Sequence, residues 1–214
     1  MKNKYIYLIR HGETDYNRKG VVQGSGVDSD LNQWGIAQAN AFFNTYEHVP
    51  FDKIYTSTLR RTVQTVKQFI DLGIPYEQLP GLNEISWGLR EGRIPNSMDD
   101  AYYRDLIVGW REGHTHPPSE GGKSPQQVPA RQLEAIEHIL SKPNERTVLV
   151  AMHGRAMRIL LTTLFQKPLH CMDEYEHSNL CLYRISYAYD TAEFTLEQAN
   201  DTTHLLTLEI PQVQ

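Results

Sequence analysis

The sequence predicts an α/β fold in which one sheet is covered by helices on both faces. Three observations carry this. Short apolar runs alternate with longer amphipathic stretches. Two of those runs end in the same dipeptide, His11-Gly12 and His153-Gly154, and a third leads into Arg60 and Arg61. In open α/β sheets, ligands sit just past the carboxyl ends of the strands.

Residues 5–9 are β-branched and aromatic and run into Arg10-His11-Gly12, as a buried strand ending in a polar loop does. Residues 31–46 predict a helix with Asp30 as its N-cap. A second strand follows at 52–57, then a helix over 59–71 with Val63, Val66, Phe69 and Ile70 on one face and Gly73 as its stop. The character changes from 81 to 122, where Gly88, Gly92, Pro95, Gly109, Gly113, Pro117 and Pro118 mix with Trp87, Tyr102, Tyr103 and Trp110. This predicts an excursion with one short helix at 97–110, placed to act as a lid. Regularity returns with a helix at 128–140, its Leu133, Ile136 and Leu140 on one face. A strand at 147–152, a helix at 154–165 and late strands at 180–186 and 193–198 complete the chain. Residues 1–214 read as one domain, with the lid at about 84–122.

Composition excludes several classes. The chain has 214 residues, 40% of them hydrophobic and 22% charged, so a packed core is feasible. A net charge of −5 without a long basic run argues against nucleic-acid and anionic-membrane partners. No apolar run is long enough to span a bilayer, and the N-terminal one is too short for a signal peptide. The expected location is cytoplasmic. Cys171 and Cys181 form neither a disulfide framework nor a zinc motif. His114 and His116 lack a third metal ligand nearby, so no metal or other cofactor is expected.

A pocket holding Arg10, His11, Arg61 and His153 would suit an oxyanion. Guanidinium groups match phosphate oxygens, and nearby cations keep a histidine neutral and able to attack phosphorus. The second ring nitrogen then needs a fixed acceptor such as a backbone carbonyl. With no Walker loop and no DxD pair, a metal-independent phosphoryl transfer is the simpler route. The leaving alkoxide needs a proton, for which Glu84, Glu13 and Glu91 compete. Asn17 and Ser57 have a competing reading as helix caps.

These residues resemble the histidine phosphatase (phosphoglycerate mutase-like) superfamily, phosphatase branch. The likeness runs from Arg10-His11-Gly12-Glu13-Thr14 through Asn17 and Gln23-Gly24 to Ser57-x-Leu59-x-Arg61-Thr62. It continues through Glu84-x-x-x-Gly88, Gly121-Gly122-x-Ser124 and His153-Gly154 to the segment ending in His204. It implies a three-layer α/β/α sandwich with a mostly parallel sheet and a phosphohistidine on His11. Arg10, Arg61 and His153 would hold the phosphoryl group and Glu84 would donate the proton. Asn17, Gln23, Gly24, Gly154 and His204 would line the phosphate or substrate site. The partner would be a small phosphorylated metabolite, and a homodimer fits the class. The stretch between Glu84 and His153 is shorter than in glycolytic mutases of that superfamily, which favours hydrolysis over mutase transfer. Both histidine and carboxylate are present, against a non-catalytic phospho-ligand module. The chain departs from the family pattern at Val21-Val22, Arg90 and Lys123, all on the expected substrate-facing rim.

Overall fold

The computed structural model describes residues 3–94 and 96–208; Pro95 lies outside them. Their six strands form one sheet in the order β3-β2-β4-β1-β5-β6. Central β1 (Lys4–Arg10) pairs parallel with β4 (Thr147–Met152) and antiparallel with β5 (Leu182–Ala188). β2 (Lys53–Thr56) pairs parallel with β4 and with β3 (Tyr76–Gln78), while β6 (Glu193–Asp201) runs antiparallel to β5. The helices are α1 (Asp15–Arg18), α2 (Gln33–Tyr46), α3 (Arg60–Thr65), α4 (Lys67–Asp71), α5 (Ser97–Arg111), α6 (Pro129–Leu140) and α7 (Gly154–Leu164). The architecture is a three-layer α/β/α sandwich with a mixed, mostly parallel sheet. Among the described residues no helix is long and apolar enough to cross a membrane.

Strand alternation builds the two cores. Ile6 and Leu8 of β1, with Val148 and Val150 of β4, pack under Ile136 and Ile139 of α6 and Met157 and Leu160 of α7. Their neighbours Ile9, Leu149 and Ala151 point the other way, against Phe42 of α2 and Phe69 of α4. Each fully buried aliphatic side chain stabilises the fold by roughly 1.5–3 kcal/mol. A third cluster lies above the sheet, where Ile107 and Trp110 of α5 meet Trp87, Val128, Ile159 and Met172.

Four local expectations need correction. Asn32, not Asp30, caps α2, its side chain accepting from Gly35 N, because Arg60 and Gln64 claim Asp30. The 59–71 helix is two helices broken at Val66, whose φ of −108° and ψ of 11° leave the helical region. In α6 the buried face is Gln132, Ala135, Ile136 and Ile139, whereas Leu133 is exposed. The short edge strand β3 was not expected, since three residues with Tyr76 exposed carry no alternation signal. The expectations for β1, β2, β4 and the 97–110 helix agree with the structure to within a residue or two.

The loop after β1 is clamped by glycines. A Cβ on Gly35 would meet Glu13 O at 2.1 Å, and one on Gly12 would meet Gly35 O at 2.7 Å. Gly35→Ala is expected to destabilise the fold by about 1–3 kcal/mol, by forcing this loop off α2. A denaturation midpoint equal to the parent's would refute the claim.

Candidate active site

β1 and β4 are adjacent and parallel, so they end side by side, and the two His-Gly pairs meet there. His11 and His153 have ring centroids 5.2 Å apart. The His11 ring is buried and its Nδ1 donates to Gly12 O at 2.7 Å. A carbonyl only accepts, so the proton sits on Nδ1 and the lone pair sits on Nε2. Burial first, then the charges of Arg61 and Arg10, holds His11 well below the ordinary histidine value. Neutral His11 is therefore the resting form.

Behind it, Arg61 is fully buried. It donates from Nε to His153 Nδ1 at 3.2 Å, from Nη1 to Val27 O at 2.6 Å and from Nη2 to Gly24 O at 3.3 Å. Burial lowers Arg61 to about 10, leaving it charged at neutral pH. Because arginine only donates, His153 carries its proton on Nε2 and gives it to Ser57 Oγ at 2.8 Å. The Ser57 hydroxyl lies 2.9 Å from Thr62 Oγ1, so one chain of bonds orients the buried pair.

The pocket above His11 has a volume of about 160 Å³. Arg10 lines it. One Nη donates to His177 O, while its buried Nε has no hydrogen-bond partner. Asn17 spends its oxygen on Thr14, capping α1, which leaves its amide N–H groups for a ligand. Gln23 also lines the wall, with its amide nitrogen on Thr14 Oγ1 at 2.7 Å. Gly154 opens α7 at the pocket edge, and a Cβ there would lie 2.8 Å from His177 Cδ2.

Glu84 completes the site. Its Oε1 accepts from Ile85 N and Ala156 N, both at 2.8 Å, and its Oε2 from Arg155 N at 3.0 Å. The carboxyl thus sits on the first turn of α7, beside the pocket. Its rivals are occupied elsewhere. Glu13 pairs with Arg18, and Glu91 accepts from Trp87 N and Gly26 N.

The profile of the histidine phosphatase superfamily (branch 1) matches residues 6–202. The chain belongs to that superfamily. It is 32% identical over 206 residues to a protein named "Probable phosphoglycerate mutase GpmB" from Yersinia pestis (strain Pestoides F), covering 94% of both chains. Among solved structures it is similar to YhfR of Bacillus stearothermophilus, at 27% identity and a TM-score of 0.81 over 94% of this chain and 99% of that one. It is also similar to an Escherichia coli K-12 protein provisionally named an alpha-ribazole-5'-P phosphatase. That match has 26% identity and a TM-score of 0.80, over 92% and 96%.

In this member of the superfamily, two expected residues lie away from the pocket wall. Gly24 lies behind it, its carbonyl holding Arg61 and its α-carbon pressed against Glu91. His204 is buried in the core, 5.1 Å from the ring of Phe42 and 5.8 Å from that of Tyr46. His114 and His116 are exposed, after α5. Sequence reasoning missed His177 and Arg155, which both line the pocket with Trp87 and Tyr103. Arg155 directly follows His153-Gly154, a signal that was open to reading. His177 sits in an irregular loop and gave none.

Three neutral histidines make the fold sensitive to acid. Burial first and neighbouring arginines second depress His11, His153 and His177, the last to about 3. The unfolded chain takes up these protons near pH 6.5 and the folded chain does not, so stability falls as pH drops below that value. Each histidine contributes a slope of up to about 1.4 kcal/mol per pH unit in that window. Urea midpoints measured from pH 7 to 4 are expected to drop steeply, and less steeply for His177→Gln. A flat profile would contradict the assignment.

Proposed function

We propose that this chain is a metal-independent phosphatase that hydrolyses a small phosphate monoester through a phosphohistidine on His11. The supporting observation is the His11 Nδ1–Gly12 bond, which leaves a neutral Nε2 lone pair on a residue that shares its pocket with Arg10. In the first step Nε2 attacks phosphorus, the bond to the alkoxide oxygen breaks, and Glu84 gives that oxygen its proton. In the second, water attacks phosphorus, Glu84 takes the water proton, and the N–P bond breaks to release phosphate. Glu84 Oε2 has one backbone donor against two on Oε1, so Oε2 is the oxygen with room for the proton. Arg10 and Asn17 take phosphoryl oxygens. Arg61 supplies positive charge from behind, and the His153 Nε2–H can exchange Ser57 for a phosphoryl oxygen. The segment at 84–122 closes over the pocket through Trp87 and Tyr103.

A mutase-type transfer is the second reading, favoured by the name of the Yersinia relative. Phosphate release from p-nitrophenyl phosphate, set against bisphosphoglycerate-stimulated isomerisation of phosphoglycerate, separates the two. Hydrolysis unaffected by EDTA, with little isomerisation, is the expected result. Strong isomerisation with negligible hydrolysis would replace the phosphatase reading.

A further inference from the structure

One wall of the pocket holds more positive charge than a phosphoryl group needs. Asp173 accepts from Arg155 Nη1 at 2.6 Å, from Arg111 Nε at 2.7 Å and from Arg158 Nη1. Three guanidinium groups share one carboxylate, so the cluster keeps a surplus of positive charge. Glu174 is paired with Lys167 and not with this cluster.

Of the three arginines, Arg155 is the one that lines the pocket. It is buried and pre-set. Asp173 holds one guanidinium nitrogen, and the group lies 6.0 Å from the Trp87 ring and 5.8 Å from the Trp110 ring, which stack on each other. Two further guanidinium nitrogens retain N–H donors for a planar anion. Arg155 is also the residue after Gly154, so it stands one position along α7 from the phosphoryl end of the site. Val21, Val22 and Trp87 on the same pocket are uncharged, and Glu84, the one carboxylate lining it among the described residues, is held by three backbone N–H groups.

We infer that Arg155 is the specificity-determining residue for a second anionic group on the substrate, a carboxylate or a second phosphate on a small monoester. This rests on the phosphatase reading above. A ready-made, desolvated guanidinium binds such a group without first ordering a flexible side chain. A neutral alcohol phosphate leaves that surplus charge unmet in the pocket.

The test compares carboxymethyl phosphate, ethane-1,2-diyl bisphosphate and ethyl phosphate with the parent enzyme and Arg155→Gln. In the variant Asp173 still has Arg111 and Arg158, so no buried carboxylate is orphaned. The parent is expected to prefer at least one of the two anionic esters, and which one it prefers identifies the group read. Arg155→Gln is expected to lower kcat/KM for the preferred ester by about 10–100-fold, chiefly through KM, and to collapse the preference. No preference in the parent, or an equal loss on all three esters, would overturn the inference. Calorimetric binding to a His11→Ala background repeats the comparison without turnover. There, Arg155→Gln should weaken carboxymethyl phosphate or the bisphosphate more than ethyl phosphate, and equal weakening would refute the assignment. If no ester is hydrolysed yet this binding difference persists, the phosphatase reading fails and the role of Arg155 stands.

Discussion

His11→Ala is expected to lower phosphate release from p-nitrophenyl phosphate by about 10³-fold or more, because the proposed route passes through a bond to its Nε2. His11 is buried beside His153, so the variant's stability should be measured alongside its activity. Loss of activity with the fold intact supports the nucleophile. A drop of less than about tenfold would remove His11 from that role. Trapping the parent with labelled substrate should give an acid-labile, alkali-stable phosphoprotein that the variant does not form.

Glu84→Gln is expected to cost about 10²–10⁴-fold on alkyl phosphates and much less on p-nitrophenyl phosphate, whose leaving group needs little protonation. The leaving-group dependence matters because Glu84 also has a structural task. Its two oxygens satisfy three backbone N–H groups at the start of α7 and beside it. An amide has one oxygen, so at least one N–H loses its acceptor and the helix loses a negative charge at its positive end. That costs about 1 kcal/mol of stability. A purely structural loss would slow all substrates alike. If alkyl and aryl phosphates lose activity equally, Glu84 is not the acid.

Much of this site was legible because its parts sit where regular elements end. A strand that alternates over Ile6, Tyr7, Leu8 and Ile9 must stop somewhere, and Arg10-His11-Gly12 marks the place. The same logic reached His153 through β4 and Arg61 through the turn after β2. Residues on loops were harder. His177 reaches the pocket from the irregular stretch before β5, and Asp173 reaches the Arg155 guanidinium from a short 3-10 helix just ahead of it; nothing in their local sequence says which way these segments fold. Asp30 and Asn32 are equally able caps in sequence, and Arg60, brought in from another element, decides between them. His204 shows the reverse difficulty. A tail that looks like part of a site tucks its imidazole against Phe42 instead. The break at Val66 lies inside a stretch with unbroken helical periodicity, so pattern alone hid it.

The bond between His11 Nδ1 and Gly12 O has one further consequence. The acceptor belongs to the peptide chain, so no side-chain replacement at any other position can delete it. In the proposed chemistry, the regiochemistry of phosphorylation is therefore written into the main chain. Only the τ isomer of phosphohistidine can form, which heteronuclear NMR distinguishes from the π isomer. Substrate preference can drift with every residue on the rim, while the position of the N–P bond stays fixed.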